Sequence, residues 1–388
     1  MLANKQRVKI INVVGARPNF IKIAPIMDEM KKYPEHLEAI LVHTGQHYDD
    51  AMSKAFFEDL EIPRPAMDLN IGSDSHAQQT AKIMIEFEKV LVEEKPDLVL
   101  VVGDVNSTLA CSITSAKLLI PVAHVEAGLR SFDRTMPEEI NRVVTDSISS
   151  YLFTTCEDAN ENLRREGIPD EKIFFVGNVM IDSLLRHREK ARKSEILEKL
   201  NLSINSQAKP YALLTLHRPS NVDDGETFKS ILEALERISQ DIPIIFPAHP
   251  RTQKQIDSFG LSDHFKDFTN NESQITNHGI HLLAPLPYLD FLHLMANAKF
   301  VLTDSGGIQE ETTVLGVPCL TLRENTERPV TVTEGTNIVV GTEPKRIINE
   351  GMSILRGGGK KGKTPRLWDG QAARRIVDIL MKAAKEGR

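Results

Sequence analysis

The stretch Thr303-Asp304-Ser305-Gly306-Gly307-Ile308-Gln309-Glu310-Glu311 follows the apolar run Lys299–Leu302 and precedes a segment of helical character. It reads as a strand, a tight glycine turn and a helix start. Ser305 suits a helix cap, and Gly306 and Gly307 let backbone approach a ligand closely. Free N–H groups at a helix start favour an anion, most often a phosphate. On the glycines alone, an ordinary strand-to-helix turn fits as well. Glu311 shifts the balance, because a carboxylate one turn into the helix repels phosphate yet accepts two sugar hydroxyls, as in ribose recognition. The stretch therefore predicts a nucleotide site, with diphosphate at the turn and ribose at Glu311.

Short apolar runs recur on both sides of a midpoint, with helical segments between them. They are Val8–Val14, Leu37–Val42, Leu98–Val102, Pro121–Val125, Tyr151–Thr154 and Ile173–Val176, then Tyr211–Leu216, Ile242–Phe246, Ile280–Leu283, Phe300–Leu302, Val317–Leu322 and Ile338–Val340. Most are continuous rather than alternating, as strands buried on both faces of a parallel sheet are. The fold class predicted is α/β, with two doubly wound, Rossmann-like domains whose ligands sit beyond the carboxyl ends of the strands. A charged helical stretch, Arg186–Lys199, and a polar one, Asn201–Pro210, mark the expected linker, giving domains 1–185 and 186–388. Arg356–Pro365 (RGGGKKGKTP) reads as a mobile solvated loop, and Ala372–Lys385 as a final amphipathic helix.

At 388 residues the chain is long for one core. Hydrophobic content of 41% and charged content of 26% are those of a globular protein, and a net charge of −7 argues against nucleic acid or an anionic membrane as partner. Cys111, Cys156 and Cys319 are far apart and read as buried thiols. No apolar run approaches membrane-spanning length and no signal-peptide core is present, which predicts a cytoplasmic protein.

Five further clusters sit where strands end. In Gly15-Ala16-Arg17-Pro18-Asn19-Phe20-Ile21-Lys22, Pro18 suits a helix start, and the cations Arg17 and Lys22 oppose the helix dipole unless an anion binds; two surface cations are the alternative. In Gly103-Asp104-Val105-Asn106-Ser107-Thr108, Asp104 is either a cap or free for chemistry, since Asn106 and Ser107 serve as caps equally well. Glu126 ends the run Pro121–Val125 and either pairs with Arg130, Arg134 or Arg142 or performs acid–base work. Pro137-Glu138-Glu139 opens a helix, and Asp104, Glu126 and Glu138 at one crevice would raise at least one pKa by crowding. His217, in Leu216-His217-Arg218-Pro219-Ser220-Asn221, can bond a phosphate or move a proton, and His249 is a weaker analogue. His43 and His47 have metal-like spacing without supporting ligands, so no metal is expected. Arg328, before Pro329 and after Glu327, either clamps a diphosphate or anchors its loop.

Together these motifs resemble the non-hydrolysing UDP-N-acetylglucosamine 2-epimerases essentially end to end: GARPNFIK, GDVNSTLA, HVEAGLRSFDRTMPEEINR, TLHRPSN, LTDSGGIQEE, LRENTERPVT and DGQAARRI occur in order. The resemblance implies a glycosyltransferase-B architecture with the active site in the interdomain cleft and the final helix, 371–386, returning to the first domain. It also implies a homodimer, no cofactor, and a product destined for cell-surface polysaccharide. On matching positions it places UDP contacts at Arg17, His217, Ser305, Gly306, Gly307, Glu311 and Arg328, a uracil pocket around Leu286 and Phe291, and Lys22 toward the phosphate or sugar. Its acid–base carboxylates fall on Asp104, Glu126 and Glu138. The reaction implied is elimination of UDP across C1–C2 to a 2-acetamidoglucal, then re-addition. Ser220 and Asn19 stand where many or some members have glutamate. Asp49 stands for a glutamine of members activated by a second UDP-N-acetylglucosamine, although Gln46 and Arg218 remain, with His249, as possible allosteric contacts. A related branch acts on other UDP-acetamido sugars. A glycosyltransferase of the same fold, a hydrolysing epimerase and a non-catalytic sensor are the rival readings.

Overall fold

The structure, a computed structural model, describes residues 7–45, 64–204, 207–267 and 275–386. The chain forms two compact units, the first comprising Met1–Arg186 with Arg366–Arg388 and the second His187–Pro365. The division falls after Arg186, inside helix Val179–Ala191 and at the start of the charged stretch Arg186–Lys199.

In unit 1 the strands are β1 (Val8–Val14), β2 (Leu37–His43), β3 (Met67–Asp68), β4 (Leu98–Val102), β5 (Val122–Ala127), β6 (Tyr151–Thr154) and β7 (Ile173–Phe175). They form one parallel sheet in the order β3-β2-β1-β4-β5-β6-β7. All five residues of β4 are buried, as the unbroken apolar run requires. The short edge strand β3 is absent from the sequence reading, because two residues carry no pattern. Helix Asn106–Lys117 is poor in large apolar residues; it buries Ser112, Thr114 and Ser115 by returning each hydroxyl to the carbonyl four residues earlier, at 2.7–2.9 Å. The final helix, Ala372–Glu386, lies beside helix Arg17–Met30, and the Asp182 carboxylate receives its first N–H groups, Ala372 at 3.1 Å and Ala373 at 2.7 Å.

Unit 2 begins with a small antiparallel ribbon, β8 (Ser203–Ile204) and β9 (Gln207–Ala208). Its main strands are β10 (Ala212–Thr215), β11 (Ile244–Pro247), β12 (Phe265–Asp267), β13 (Ile280–Leu283), β14 (Phe300–Thr303), β15 (Cys319–Thr321) and β16 (Asn337–Val339). They too form one parallel sheet, ordered β12-β13-β11-β10-β14-β15-β16. The core of this unit is built on Phe228, Ile231, Leu235, Phe246, Phe300 and Leu302. The lysine- and glycine-rich segment is not simply solvated: Lys360 donates to the carbonyls of Val332 and, at 3.1 Å, Asn337, and Lys363 N–H to Glu334 at 2.9 Å.

Strand order reverses between β1 and β4 in unit 1 and between β10 and β14 in unit 2. The loops leaving those strands carry Gly15–Arg17, Gly103–Asp104, His217–Arg218 and Asp304–Gly307. Neighbouring crossovers diverge there and leave a crevice at the carboxyl ends, the usual ligand position in such sheets. The three cysteines are buried free thiols. Among the described residues no helix is long and apolar enough to cross a membrane.

Candidate active site

In unit 1 Glu126 comes close to Gly103, the residue that precedes Asp104. This glycine has φ +70°, and a Cβ on it would lie 3.2 Å from both Asn19 Nδ2 and Lys22 Nζ and 3.6 Å from Glu126 Oε2. Helix Arg17–Met30 is seated by Asn19, whose Oδ1 accepts Gly15 N–H at 3.2 Å and Ala16 N–H at 2.9 Å, while its Nδ2 donates to Val102 O at 3.1 Å. That clamp delivers buried Lys22 to Glu126, Nζ to Oε2, at 2.5 Å. Arg130, Arg134 and Arg142, the partners considered from sequence, are not what holds Glu126. Arg130 binds Asp146 and Glu166, and Arg142 binds Asp104 and Glu139.

Glu126 itself is 3% exposed and has φ +73°, at a register shift between β5 and β6. A left-handed conformation at a non-glycine residue costs energy and persists only where the surroundings impose it. Glu126 Oε1 is buried and has no hydrogen-bond partner among the described residues. Asp104 does not cap the helix that follows, whose cap residue is Val105. Its carboxylate is ion-paired with Arg142 and its carbonyl accepts Asn141 Nδ2 at 2.8 Å. The sequence reading expected like-charge crowding here; instead a cation accompanies each of Asp104 and Glu126, which offsets the repulsion.

Of the glutamate pair, Glu139 is the structural one. It is buried, accepts Ser131 N–H at 3.0 Å and Phe132 N–H at 2.8 Å, and meets Arg142 Nη2 at 2.6 Å. Burial opposes its charge, but those contacts prevail and lower its pKa. Glu138 is exposed in the first turn of the same helix, Pro137–Ile148. Arg17 opens its helix with its side chain outside the described part of the structure, and Gln46 and His47 lie outside the described residues.

In unit 2 the decisive residue is one the sequence reading passed over, Asp304. It is fully buried, and Oδ2 accepts the N–H groups of His217 and Arg218, both at 2.9 Å. His217 Nδ1 lies 3.0 Å from Oδ1, and Arg218 Nε donates to the Asp304 carbonyl at 2.9 Å. Burial opposes the Asp304 charge, and the contacts with His217 and Arg218 overcome it and lower its pKa. The imidazole is thereby aimed while remaining half exposed, its side chain 51% accessible.

Ser305 occupies the cap position of helix Gly306–Leu315, but its hydroxyl makes no capping bond; its N–H donates to Thr303 Oγ1 at 3.0 Å. The first N–H groups of that helix have no partner within it. Arg328 lies directly over the turn: a Cβ on Gly306 would stand 2.5 Å from Arg328 Nη1. The loop-anchoring reading is the one these contacts carry: Nη1 meets Glu327 at 2.5 Å and Nε meets Glu310 at 2.9 Å. Arg323 and Arg218 also reach Glu327, at 2.8 and 3.4 Å. Burial disfavours that carboxylate, but the three guanidinium groups hold it well below the usual range.

Glu311 is buried and accepts the Tyr288 hydroxyl at 2.9 Å. Burial and the Glu310 charge push its carboxyl up to about 7, against the effect of that hydrogen bond. Leu286 and Phe291 are half-buried around the start of helix Tyr288–Asn297. His249 caps helix Pro250–Ser258, its ring accepting Arg251 N–H at 3.3 Å. His43 bonds Asp68 at 2.8 Å, and among the described residues no group of three or more His, Cys, Asp or Glu is placed to hold a metal ion.

The family described as UDP-N-acetylglucosamine 2-epimerase matches residues 28–381. A UDP-N-acetylglucosamine 2-epimerase of Methanocaldococcus jannaschii is 47% identical over 96% of this chain and 99% of its own. A UDP-2,3-diacetamido-2,3-dideoxy-D-glucuronate 2-epimerase of Pseudomonas aeruginosa is 39% identical over 97% of this chain and 100% of its own. The crystal structure of the M. jannaschii 2-epimerase in complex with UDP-GlcNAc and UDP superposes with a TM-score of 0.86 at 46% identity, covering 96% of this chain and 99% of that one. The glycosyltransferase-B-like fold expected from the sequence is shared with such structures. The chain belongs to the UDP-N-acetylglucosamine 2-epimerase family.

Proposed function

We propose that this protein interconverts UDP-N-acetylglucosamine and UDP-N-acetylmannosamine by eliminating and re-adding UDP. The C2 proton lies beside an acetamido group and is not acidic, which makes direct deprotonation unattractive. In the elimination a carboxylate takes that proton, the C2–H electrons form the C1–C2 double bond, and the C1–O electrons leave with UDP. In the return step a UDP oxygen attacks C1 while C2 receives a proton on the opposite face. Unit 2 supplies the grip: N–H groups of Gly306 and Gly307, next to Ser305, and the Arg328 guanidinium for the diphosphate, His217 for a phosphate oxygen or a proton, Glu311 for ribose, Leu286 and Phe291 for uracil. Arg17 adds a further cation. Asp104, Glu126 and Glu138 supply acid and base, with Lys22 fixing the position of the Glu126 carboxylate.

The observation that carries this reading is Glu126, a buried carboxylate on a strained backbone, with one oxygen on Lys22 and the other without a partner among the described residues. Such an oxygen is poised to take a proton. The family's resemblance supports a homodimer in the cytoplasm.

Incubation with UDP-N-acetylglucosamine in deuterated water, followed by NMR, tests the proposal. The expected products are two UDP-sugars carrying deuterium at C2. Free N-acetylmannosamine would indicate a hydrolase, turnover only with an acceptor a transferase, and binding without exchange a sensor. Exchange confined to a diacetamido UDP-sugar would place the substrate with the P. aeruginosa relative. Asp104→Asn and Glu126→Gln are expected to abolish exchange while UDP affinity survives.

A further inference from the structure

Beneath the unit 1 cluster lies a buried ion network that the proposed chemistry does not touch. His124, in the middle of β5, is fully buried. Its Nε2 lies 2.9 Å from the Gly103 carbonyl and its Nδ1 2.6 Å from Asp146 Oδ1. Asp146 Oδ2 accepts Gly128 N–H at 3.0 Å and meets Arg130 Nη2 at 2.7 Å. Gly103 and Gly128 both have positive φ, +70° and +79°. One precedes Asp104 and the other follows Glu126 by two residues. Asp146 also belongs to helix Pro137–Ile148, the helix that brings Asn141 and Arg142 to Asp104 and carries Glu138.

We propose that His124 is a positioning residue, the strut that ties the Gly103–Asp104 turn, through Asp146, to the Gly128 turn beside Glu126 and to the helix bearing Glu138. The inference rests on the reading of those carboxylates as the acid–base groups. Each end of the strut matters because both turns are left-handed glycine turns, which have no side chain to lock them. Gly103 N–H is already bound to Val125 O at 3.1 Å, so His124 completes the fixation of that peptide from the carbonyl side.

Hydrogen-bond accounting sets the state of the ring. A carbonyl only accepts, so Nε2 carries a proton. Nδ1 lies against Asp146, which Arg130 and the Gly128 N–H also hold. Misplacing a reacting group by about 1 Å costs about 100-fold in rate, so a loose Gly103 turn is expected to appear in kcat.

The test uses the full chain. His124→Asn keeps a donor at the Nδ1 position and gives up the reach to Gly103, whereas His124→Gln keeps the reach to Gly103. The expected result is an approximately 100-fold fall in kcat for His124→Asn, a fall of about 10-fold or less for His124→Gln, and KM and the Kd for UDP within about twofold of wild type in both. Equal kcat in His124→Asn and wild type, or a change confined to KM, overturns the proposal. Should either variant fail to fold, 15N-histidine spectra of the wild type at pH 7.5 decide: an exchange-protected Nε2–H on the buried ring is expected, and a buried His124 without a proton on Nε2 overturns the proposal. A wild type that folds, shows the protected Nε2–H and does not exchange C2 would sink the proposed function, not the strut.

Discussion

Replacing Glu327 by glutamine is expected to destabilise unit 2 by about 3–5 kcal/mol, the usual cost of leaving buried charge unpaired. The basis is one carboxylate facing three guanidinium groups. Glu327 is 2% exposed, Arg323 5%, Arg328 8% and Arg218 24%. Glutamine preserves the shape but removes the charge and turns one acceptor into a donor facing an arginine. Arg328 retains Glu310, and Arg218 retains the Asp304 carbonyl. Arg323 is left with Asn325 Oδ1 at 3.3 Å, a neutral acceptor that does not replace a carboxylate. The single tryptophan, Trp368, belongs to unit 1, where its indole donates to Thr155 O at 2.8 Å. Its fluorescence therefore does not report on unit 2. Native-state hydrogen exchange of β14 and β15 amides does, and the expected loss corresponds to roughly two to three and a half powers of ten in their opening constants. The folded Glu327 pKa is depressed, so the stability it contributes is present above the unfolded value of about 4.3 and is lost as pH falls. Wild type and variant are therefore expected to converge in acid. UDP, an anion, is expected to protect the variant more than the wild type. A loss below about 1 kcal/mol at pH 7.5 would refute the reasoning, because the three arginines would then be neutralised by something other than Glu327.

Glu311 has the opposite sign. Its folded pKa is raised to about 7, so its contribution is fully present below about 4.3 and is lost as pH rises through 7. Glu311→Gln is expected to flatten the decline in urea midpoint between pH 5.5 and 8, and to weaken UDP binding; an unchanged slope would contradict the assignment. Gly306→Ala places a methyl 2.5 Å from Arg328 Nη1 and 2.8 Å from Glu327 Oε1. An overpacking loss of about 1–3 kcal/mol and a weaker UDP Kd by calorimetry are expected. Asp182→Ala removes the two carboxylate contacts at the start of the final helix, and a loss of about 1–2 kcal/mol is expected. Because burial raises the Asp182 pKa to about 6, its contribution is fully present below the unfolded value of about 3.9 and is lost as pH rises through 6, so the difference between wild type and variant is expected to be larger at pH 5 than at pH 8.

Much of the architecture was legible from local pattern. Continuous apolar runs such as Leu98–Val102 and Phe300–Leu302 coincide with observed strands, because burial on both sheet faces demands apolar residues at every position. The edge strands β3 and β12 were not legible, being two and three residues long. The motifs at strand ends were also visible, since the glycines and polar residues there interrupt the apolar runs.

Partnership was the part that local pattern did not carry. Glu126 lies within a few residues of Arg130 and Arg134, yet its cation is Lys22, 104 positions away in the chain. Asp304 carried no assigned role in the sequence and proves to aim His217, 87 positions away. Glu139 rather than Glu138 is tied to the Ser131–Phe132 backbone, a choice made by which face of one helical turn is buried. Periodicity and turn chemistry act between neighbours along the chain, so order and composition suffice to specify strands, helices and the loops between them. Coulomb energy and hydrogen bonding act over a few ångströms of space, so the pairing of each carboxylate with its cation exists only once the sheets have brought distant loops together.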